Sequence, residues 1–409
     1  MNGKNLIYKT REHSYHKCES GEELFFTIDE TKILNNEGDN VSEMEFRQII
    51  KDRIIEYIYP FENIVLLAGA GASIVSDTSG MPDENYGHTI RMLSEAIFKE
   101  LKPGADTYSI QEISSICKYI VPIEVDAKYN PDFNLEDFLS RVLMYENFLE
   151  DGDNKEKYIH TKELILRKIK EKTSYDYNPK IHKHGSLIQA LSGMHKSPNR
   201  LTIVTTNYDT LFEDAANDLI FTTFDGFSFD SKNVFDPDWF DWSLVKPITN
   251  VKSERIEYKK STINLLKIHG SLTWKKIDDI IVRIPKSDND YPIMIFPSSD
   301  KYLHSYEKPY FELFSKFQEL IKRPNSLLIT VGFSFTDNHI AKMITQAIKT
   351  SPSLSVLITD QSIDSNDKCE NWKELERLME ERYRIAFLKA TVDGDLADYF
   401  GDYNNYDNR

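Results

Sequence analysis

Cysteine is scarce in this chain: its 409 residues include Cys18, Cys117 and Cys369, which lie far apart and form no Cys-x-x-Cys pair. A structural zinc ribbon therefore cannot be built from cysteine. The histidines offer no substitute, because His184 and His195 lie too far apart for an i, i+4 pair of metal ligands, and His182 and His184 point to different helix faces. We expect no metal site.

Long apolar runs and an excess of positive charge are also missing. No uncharged apolar run approaches the roughly 20 residues of a membrane span, and the N-terminus leads into polar sequence, so we expect no membrane association and a cytoplasmic location. The charged residues sum to −16, which disfavours direct binding to nucleic acid. Hydrophobic residues make up 40% of the chain, enough for a substantial core, so we expect a globular protein that binds small molecules or other proteins.

Short apolar runs bounded by polar or glycine residues recur along the chain, as is typical of strands buried on both faces of a parallel sheet. These runs predict an α/β fold, a doubly wound Rossmann-like parallel sheet. The predicted strands are residues 64–68, 201–205, 263–268, 293–296, 327–331, 356–359 and 385–388.

About 130 residues separate the first two predicted strands, far more than a crossover needs, and they contain helical patterns. We therefore expect a mostly helical subdomain, about residues 85–198, inserted into a domain that spans residues 43–409. Residues 1–42 are predicted to form an N-terminal arm with one short strand at 24–28. Ser42 followed by Glu45 fits a capping box for a helix that ends before Pro60. Further helices are predicted at 85–101, 134–149, 156–171, 183–194 and 372–381.

Polar residues that could do chemistry follow directly after several of the predicted strands. Because the carboxyl ends of parallel strands meet at one edge of the sheet, these segments should converge on one crevice. They are Gly69–Ser73, Thr206–Asp209, His269–Ser271, Gly332–Ser334 and Asp360.

Each of these segments could also have a purely structural role. The glycines at 69 and 71 would let backbone N–H groups approach a pyrophosphate, but tight strand-to-helix turns need glycine as well. The loop Ser79–Asp83 either covers a nucleotide or is an ordinary surface turn. His269 and Asn207 are either reactive groups or structural ones; their joint position at strand ends favours the first reading.

The order of these motifs resembles that of sirtuins, over roughly residues 60 to 360. The motifs are Gly69-Ala70-Gly71-Ala72-Ser73, Ser79-Gly80-Met81-Pro82-Asp83, Thr205-Thr206-Asn207-Tyr208-Asp209, His269-Gly270 and Gly332-Phe333-Ser334. The stretches around residues 267–274 and 331–337 look most like the sirtuin-like NADases of bacterial antiphage defence, especially the stand-alone subunit that pairs with a HerA-type ATPase. The chain lacks the four-cysteine zinc module of sirtuin deacylases, which disfavours protein deacylation.

This resemblance implies an NAD+ glycohydrolase that uses NAD as its substrate, releases nicotinamide and ADP-ribose, and acts as an abortive-infection effector. His269 would be the general base at the ribose, Asn207 would orient ribose and water, and Asp209 would bind the nicotinamide amide. The other NAD-binding residues implied are Gly69, Ala70, Gly71, Ala72, Ser73, Asp83, Thr206, Gly332, Phe333 and Ser334.

Two other functions stay open: a catalytically silent, NAD-sensing scaffold subunit of an ATPase complex and, less favoured, a nuclease. An unregulated NADase would poison its own cell, so we expect a homo-oligomer activated by an ATPase partner. The aromatic and acidic stretch 224–242 is read mainly as core and roof of the crevice, and as an interaction surface in the second place.

Overall fold

A computed structural model describes residues 3–21, 23–59, 61–77, 80–125, 128–130, 132–195, 198–248, 255–294 and 308–401. The strands are β1 (Gly3–Lys9), β2 (Ser14–Ser20), β3 (Glu23–Ile28), β4 (Thr31–Lys32), β5 (Asn63–Ala68), β6 (Glu124–Val125), β7 (Lys128–Tyr129), β8 (Leu201–Thr205), β9 (Thr222–Phe224), β10 (Val245–Pro247), β11 (Ile256–Tyr258), β12 (Thr262–Lys267), β13 (Gly270–Ser271), β14 (Trp274–Ile277), β15 (Ile280–Arg283), β16 (Ile293–Met294), β17 (Ser326–Val331), β18 (Ser355–Asp360) and β19 (Ile385–Lys389).

Several helices begin at a residue whose side chain caps the first turn. Ser42 and Glu45 form the expected capping box on α1, and the side chain of Asn134 accepts a hydrogen bond at the start of α4. The helices are α1 (Glu43–Ile58), α2 (Ile90–Glu100), α3 (Ile110–Ile116), α4 (Leu135–Tyr145), α5 (Asp153–Thr173), α6 (His184–Ser192), α7 (Leu211–Asp218), α8 (Tyr310–Lys322), α9 (Asn338–Thr350), α10 (Glu370–Glu380) and α11 (Leu396–Tyr399).

Within the described residues, one large mixed sheet runs in the order β4-β3-β2-β1-β19-β18-β17-β5-β8-β12-β9. The strands from β19 to β9 are parallel, and β1 to β4 add an antiparallel edge next to β19. From β5 the chain continues to β8 on one side and later returns to β17 on the other. The doubly wound α/β fold is therefore confirmed, with a topological switch point between β5 and β17.

Alternating side chains of the parallel strands serve two separate cores. In β5, Leu66 packs into the core under α1, α6, α7 and α11, whereas Val65 and Leu67 pack into the core under α8, α9 and α10. This alternation follows from the two-residue period of a strand, and burial on both faces explains why the strands are apolar throughout. Helices thus cover the sheet on both sides.

Helices α2 to α5 form a third core between β5 and β8, and we call them the helical insertion. Its fully buried side chains include Ile113, Phe138 and Tyr158, and it contacts the rest of the chain through Leu272 and Met294. None of the helices in the described residues combines the length and apolar character that a membrane crossing requires.

Some expected elements lie elsewhere. Residues 3–32, expected as an arm with one strand, form β1 to β4 and extend the main sheet, because their edge pairs with β19. The expected strand at 293–296 is not part of the main sheet: Ile293 and Met294 pair with β13, and Ile295 and Phe296 lie outside the described residues. The expected helix at 85–101 begins at Ile90, after an N-cap at Thr89. The domain boundary at residue 42 stays a prediction.

Candidate functional site

The polar segments singled out in the sequence follow four neighbouring strands, β17, β5, β8 and β12, and Asp360 ends the adjacent strand β18. Their carboxyl ends, at the switch point of the sheet, border a cavity of about 430 Å³. Ten of the expected site residues line it: Ala70, Gly71, Ser73, Thr206, Asn207, Asp209, His269, Gly332, Phe333 and Ser334.

Three expected residues do not line the cavity. Gly69 and Ala72 lie behind it in the β5 loop, and the carboxylate of Asp83 accepts hydrogen bonds from the backbone and side chain of Asn85. Ser79, expected beside Asp83, lies outside the described residues. The stretch 224–242 contributes to the core as expected, since Phe224, Phe227 and Phe240 are buried, but it is not a roof, because none of its residues is among those that line the cavity in the described part of the chain.

The glycines of the site pack backbone against backbone. A Cβ atom on Gly332 would lie 2.3 Å from the nitrogen of Ala72, and one on Gly71 would lie 2.8 Å from the Cα of Gly332. Gly332 also has a φ of +56°, which side chains rarely adopt. The N–H of Gly71 donates to the carbonyl of Gly332, and that of Ala72 to the carbonyl of Gly69. The glycines are thus required for packing, and these two N–H groups are already used within the fold.

Asn207 is fixed by a short hydrogen-bond chain. Its Nδ2 donates to the carbonyl of Gly69 at 2.9 Å and to Oγ of Ser73 at 2.8 Å, and Ser73 Oγ donates to Oδ2 of Asp209 at 2.6 Å. Because a backbone carbonyl only accepts, the first contact assigns which end of the amide is Nδ2. Within the described residues Oδ1 makes no hydrogen bond, so this acceptor remains for a bound molecule.

A buried lysine, Lys267, holds the Asp209 end of this hydrogen-bond chain. The Nζ of Lys267 donates to the backbone carbonyl of Asp209 and, at 2.8 Å, to Oε1 of Glu213. Burial raises the pKa of the Glu213 carboxyl, although the charge and hydrogen bond of Lys267 oppose that shift. Asp209 is therefore held at its backbone by Lys267 and at its carboxylate by Ser73 and the N–H of Leu211.

His269 lies against the carboxylate of Asp337, with Nε2 at 3.3 Å from Oδ2. Asp337 is also the N-cap of α9, where Oδ1 accepts from the N–H groups of His339 and Ile340. Burial opposes ionisation of Asp337, but the contact with His269 and the two N–H groups together lower its pKa. The Nδ1 of His269 makes no hydrogen bond within the described residues. The imidazole and the carboxylate thus lie within ion-pair distance, although their facing atoms do not meet the geometry of a hydrogen bond.

The helical insertion supplies the other side of the cavity, including Glu136 of α4 and His88 before α2. Burial is the largest cause of a rise in the pKa of the Glu136 carboxyl to about 7; the charge of His269 opposes it, and the carboxylates of Asp337 and Asp137 add to it. Burial lowers the pKa of His88, and its ring stacks on Tyr175.

Sequence reasoning gave no site role to Glu136, Asp337 or His88. Asp337 was within a motif that was recognised, and its place after a strand was the signal that could have identified it. Glu136 carried only the signal of an acidic first turn, which helices use without any ligand. Within the described residues, no group of three or more histidine, cysteine or acidic side chains could hold a metal ion.

Comparison with known proteins relates one segment of the chain to a known domain family. No curated protein matches the sequence. Residues 201–382, less than half of the chain, match the SIR2-like domain family, which supports a sirtuin-like relationship for the segment that carries Asn207 and His269 and is consistent with an NAD-related activity.

Proposed function

We propose that this chain hydrolyses NAD+ at the bond between nicotinamide and ribose, giving nicotinamide and ADP-ribose. The observation that carries the proposal is that Asn207 and His269, from the ends of the adjacent strands β8 and β12, line one cavity with their free acceptor atoms available. The match of residues 201–382 to the SIR2-like domain supports NAD as the ligand.

Hydrolysis of the bond between nicotinamide and ribose requires mainly that the ribose and the attacking water be held in position. Breaking the bond to nicotinamide develops positive charge at the anomeric carbon, as in glycoside hydrolysis, and the cationic nicotinamide leaves readily. Asn207 Oδ1 would accept a hydrogen bond from the water or a ribose hydroxyl, and His269 Nδ1 would take up a proton. Asp337 would orient the imidazole, and Ser73 with Asp209 would hold the amide of Asn207.

The proposal also covers how the activity is controlled and what it does in the cell. A cell cannot tolerate free hydrolysis of its NAD, so we propose a homo-oligomer whose activity depends on a HerA-type ATPase partner and which depletes NAD during phage infection. The physical requirement is an inactive population that the partner shifts to an active one. A chain that hydrolyses NAD+ at full rate as an isolated monomer would contradict this dependence.

The test is product analysis by chromatography after incubation with NAD+, alone and with the ATPase partner. We expect nicotinamide and ADP-ribose from the wild-type chain, and a loss of about 10²- to 10⁴-fold in Asn207→Ala and His269→Ala. His13→Ala is the matched control, because His13 is exposed at the β1–β2 turn. Binding of NAD+ without any release of nicotinamide under either condition would instead favour the sensing scaffold.

A further inference from the structure

We propose that Glu136, contributed by the helical insertion, is the specificity-determining carboxylate that selects the oxidised, cationic nicotinamide over the neutral reduced form. The inference rests on the proposed function for the identity of the ligand, and it deepens that function by naming what distinguishes substrate from non-substrate. It also gives the helical insertion a direct part in the site.

The first argument is the balance of charge around the cavity. Its lining in the described residues contains five carboxylates against one guanidinium, that of Arg91, which is engaged with Glu95 at 3.0 Å. A negative lining favours a ligand whose inserted end is positively charged. The carboxylates are Glu136, Asp209, Asp337, Asp360 and Asp393.

The second argument is that four of these carboxylates already have partners. Asp209 accepts from Ser73, and Asp337 caps α9 and contacts His269. Asp360 pairs with Lys368 at 3.0 Å, and Asp393 accepts from the N–H of Ser76 and the hydroxyl of Thr391. Glu136 makes no hydrogen bond or ion pair within the part of the chain that the structure describes. An unpartnered carboxylate in a cavity is the one that gains most from a bound cation.

The third argument is the set of groups that face Glu136. They are Asp137 on its own helix, His269 after β12, Asp337 at the start of α9 and Tyr208 after β8. Burial and the carboxylates of Asp337 and Asp137 raise the pKa of Glu136 to about 7, and the charge of His269 opposes this rise. A bound cation would lower that pKa again, so binding of the cation and loss of the proton must be linked. The oxidised ligand should therefore bind more tightly as the pH rises, whereas the reduced ligand gains nothing from ionised Glu136.

The experiment measures affinity with a carbocyclic NAD+ analogue, which cannot be hydrolysed, and with its reduced form, by calorimetry from pH 6 to 8. For the wild-type chain we expect affinity for the oxidised analogue to rise up to about tenfold over this range, relative to the reduced analogue. Glu136→Gln should lose this gain and bind the oxidised analogue about tenfold more weakly at pH 8. Asp137→Asn removes a charge from the same helical turn outside the cavity and should keep the preference. Because other groups beside the cavity can also change charge over this range, each variant is judged by the difference in affinity between the oxidised and the reduced analogue.

A second measurement uses the wild-type chain alone. Calorimetry near pH 7 in two buffers of different ionisation enthalpy should detect proton release on binding of the oxidised analogue and less release with the reduced one. Equal preference in Glu136→Gln and wild type, equal proton release with both forms, or failure of the wild type to bind the analogue would overturn the inference. A wild-type chain that shows the preference but releases no nicotinamide from NAD+, either alone or with the ATPase partner, would overturn the proposed hydrolysis and leave this assignment standing.

Discussion

The imidazole of His269 and the carboxylate of Asp337 lie 3.3 Å apart, although they come from opposite sides of the switch point. His269 follows β12, and Asp337 begins the helix that follows β17. The same carboxylate therefore has two proposed tasks, because one oxygen faces the imidazole at ion-pair distance and the other caps α9. These tasks can be separated by substitution.

Asp337→Asn should lower nicotinamide release by about 10²-fold, because an amide no longer stabilises the protonated imidazole. Asparagine is as good an N-cap as aspartate, so the free energy of unfolding should change little. Asp337→Ala should lose activity and also about 1 kcal/mol of stability, since it removes the cap. Initial rates and urea unfolding of both variants check this. Normal turnover in a folded Asp337→Asn variant would rule out a positioning role.

Ser73→Ala tests the hydrogen-bond chain that holds Asn207. The substitution removes the 2.8 Å and 2.6 Å contacts of the hydroxyl, so the amide gains freedom to rotate. We expect a fall in kcat of about 10- to 100-fold and a loss of about 1 kcal/mol in stability. Ser42→Ala is the control, because it costs α1 its capping box and a similar free energy without touching the cavity. Equal turnover of the two variants would contradict the prediction.

The elements that the sequence predicts well depend on residues that are close together in the chain. The capping box of α1 needs only Ser42 and Glu45, three positions apart, and each strand of the parallel sheet is marked by a short apolar run. Because the carboxyl ends of parallel strands must meet at one edge, Asn207 and His269 could be assigned to one crevice before their contacts were known.

The missed residues depend on contacts between distant segments. Glu136 reaches the cavity only because the helical insertion docks beside β8 and β12, and no local pattern distinguishes it from an ordinary first-turn glutamate. The requirement for glycine at position 332 could not be predicted either, because it arises from close packing against the backbone of the loop after β5. The expected strand at 24–28 is present as β3, but the strands β1, β2 and β4 beside it were missed for the same cause, since β1 needs β19 as its partner.

Gly332→Ala should disrupt the site and the fold together. The added methyl group would lie 2.3 Å from backbone atoms of Gly71 and Ala72, and neither segment can move away without losing its hydrogen bonds. We expect a loss of at least about 3 kcal/mol and no measurable turnover. Gly38→Ala is the control, because Gly38 also has a positive φ but open space around it; it should cost only about 1 kcal/mol. Similar melting temperatures for the two variants would contradict the packing argument.

Lys267→Met should reveal how strongly the buried pair with Glu213 is coupled. Removing the amine leaves the Glu213 carboxyl and the carbonyl of Asp209 without their donor, so we expect a loss of about 3–5 kcal/mol. Adding Glu213→Leu to this variant removes the stranded carboxyl and should recover part of that loss. Urea unfolding of both single variants and the double variant gives the coupling energy. Simple additivity of the two losses would show that the pair does not act as a unit.

Two buried histidines should make the stability of the chain depend on pH. Burial lowers the pKa of His184 to about 3 and that of His195 to about 4, against 6.5 for an exposed imidazole. The unfolded chain therefore binds protons below pH 6.5 that the folded chain does not, and stability falls as the pH falls, by up to about 1.4 kcal/mol per pH unit for each histidine. Urea unfolding between pH 5 and 8 measures the slope. His184→Leu, which replaces the ring in contact with Phe212, should reduce the slope by up to about 1.4 kcal/mol per pH unit. An unchanged slope in His184→Leu would mean that His184 accepts a proton in the folded state.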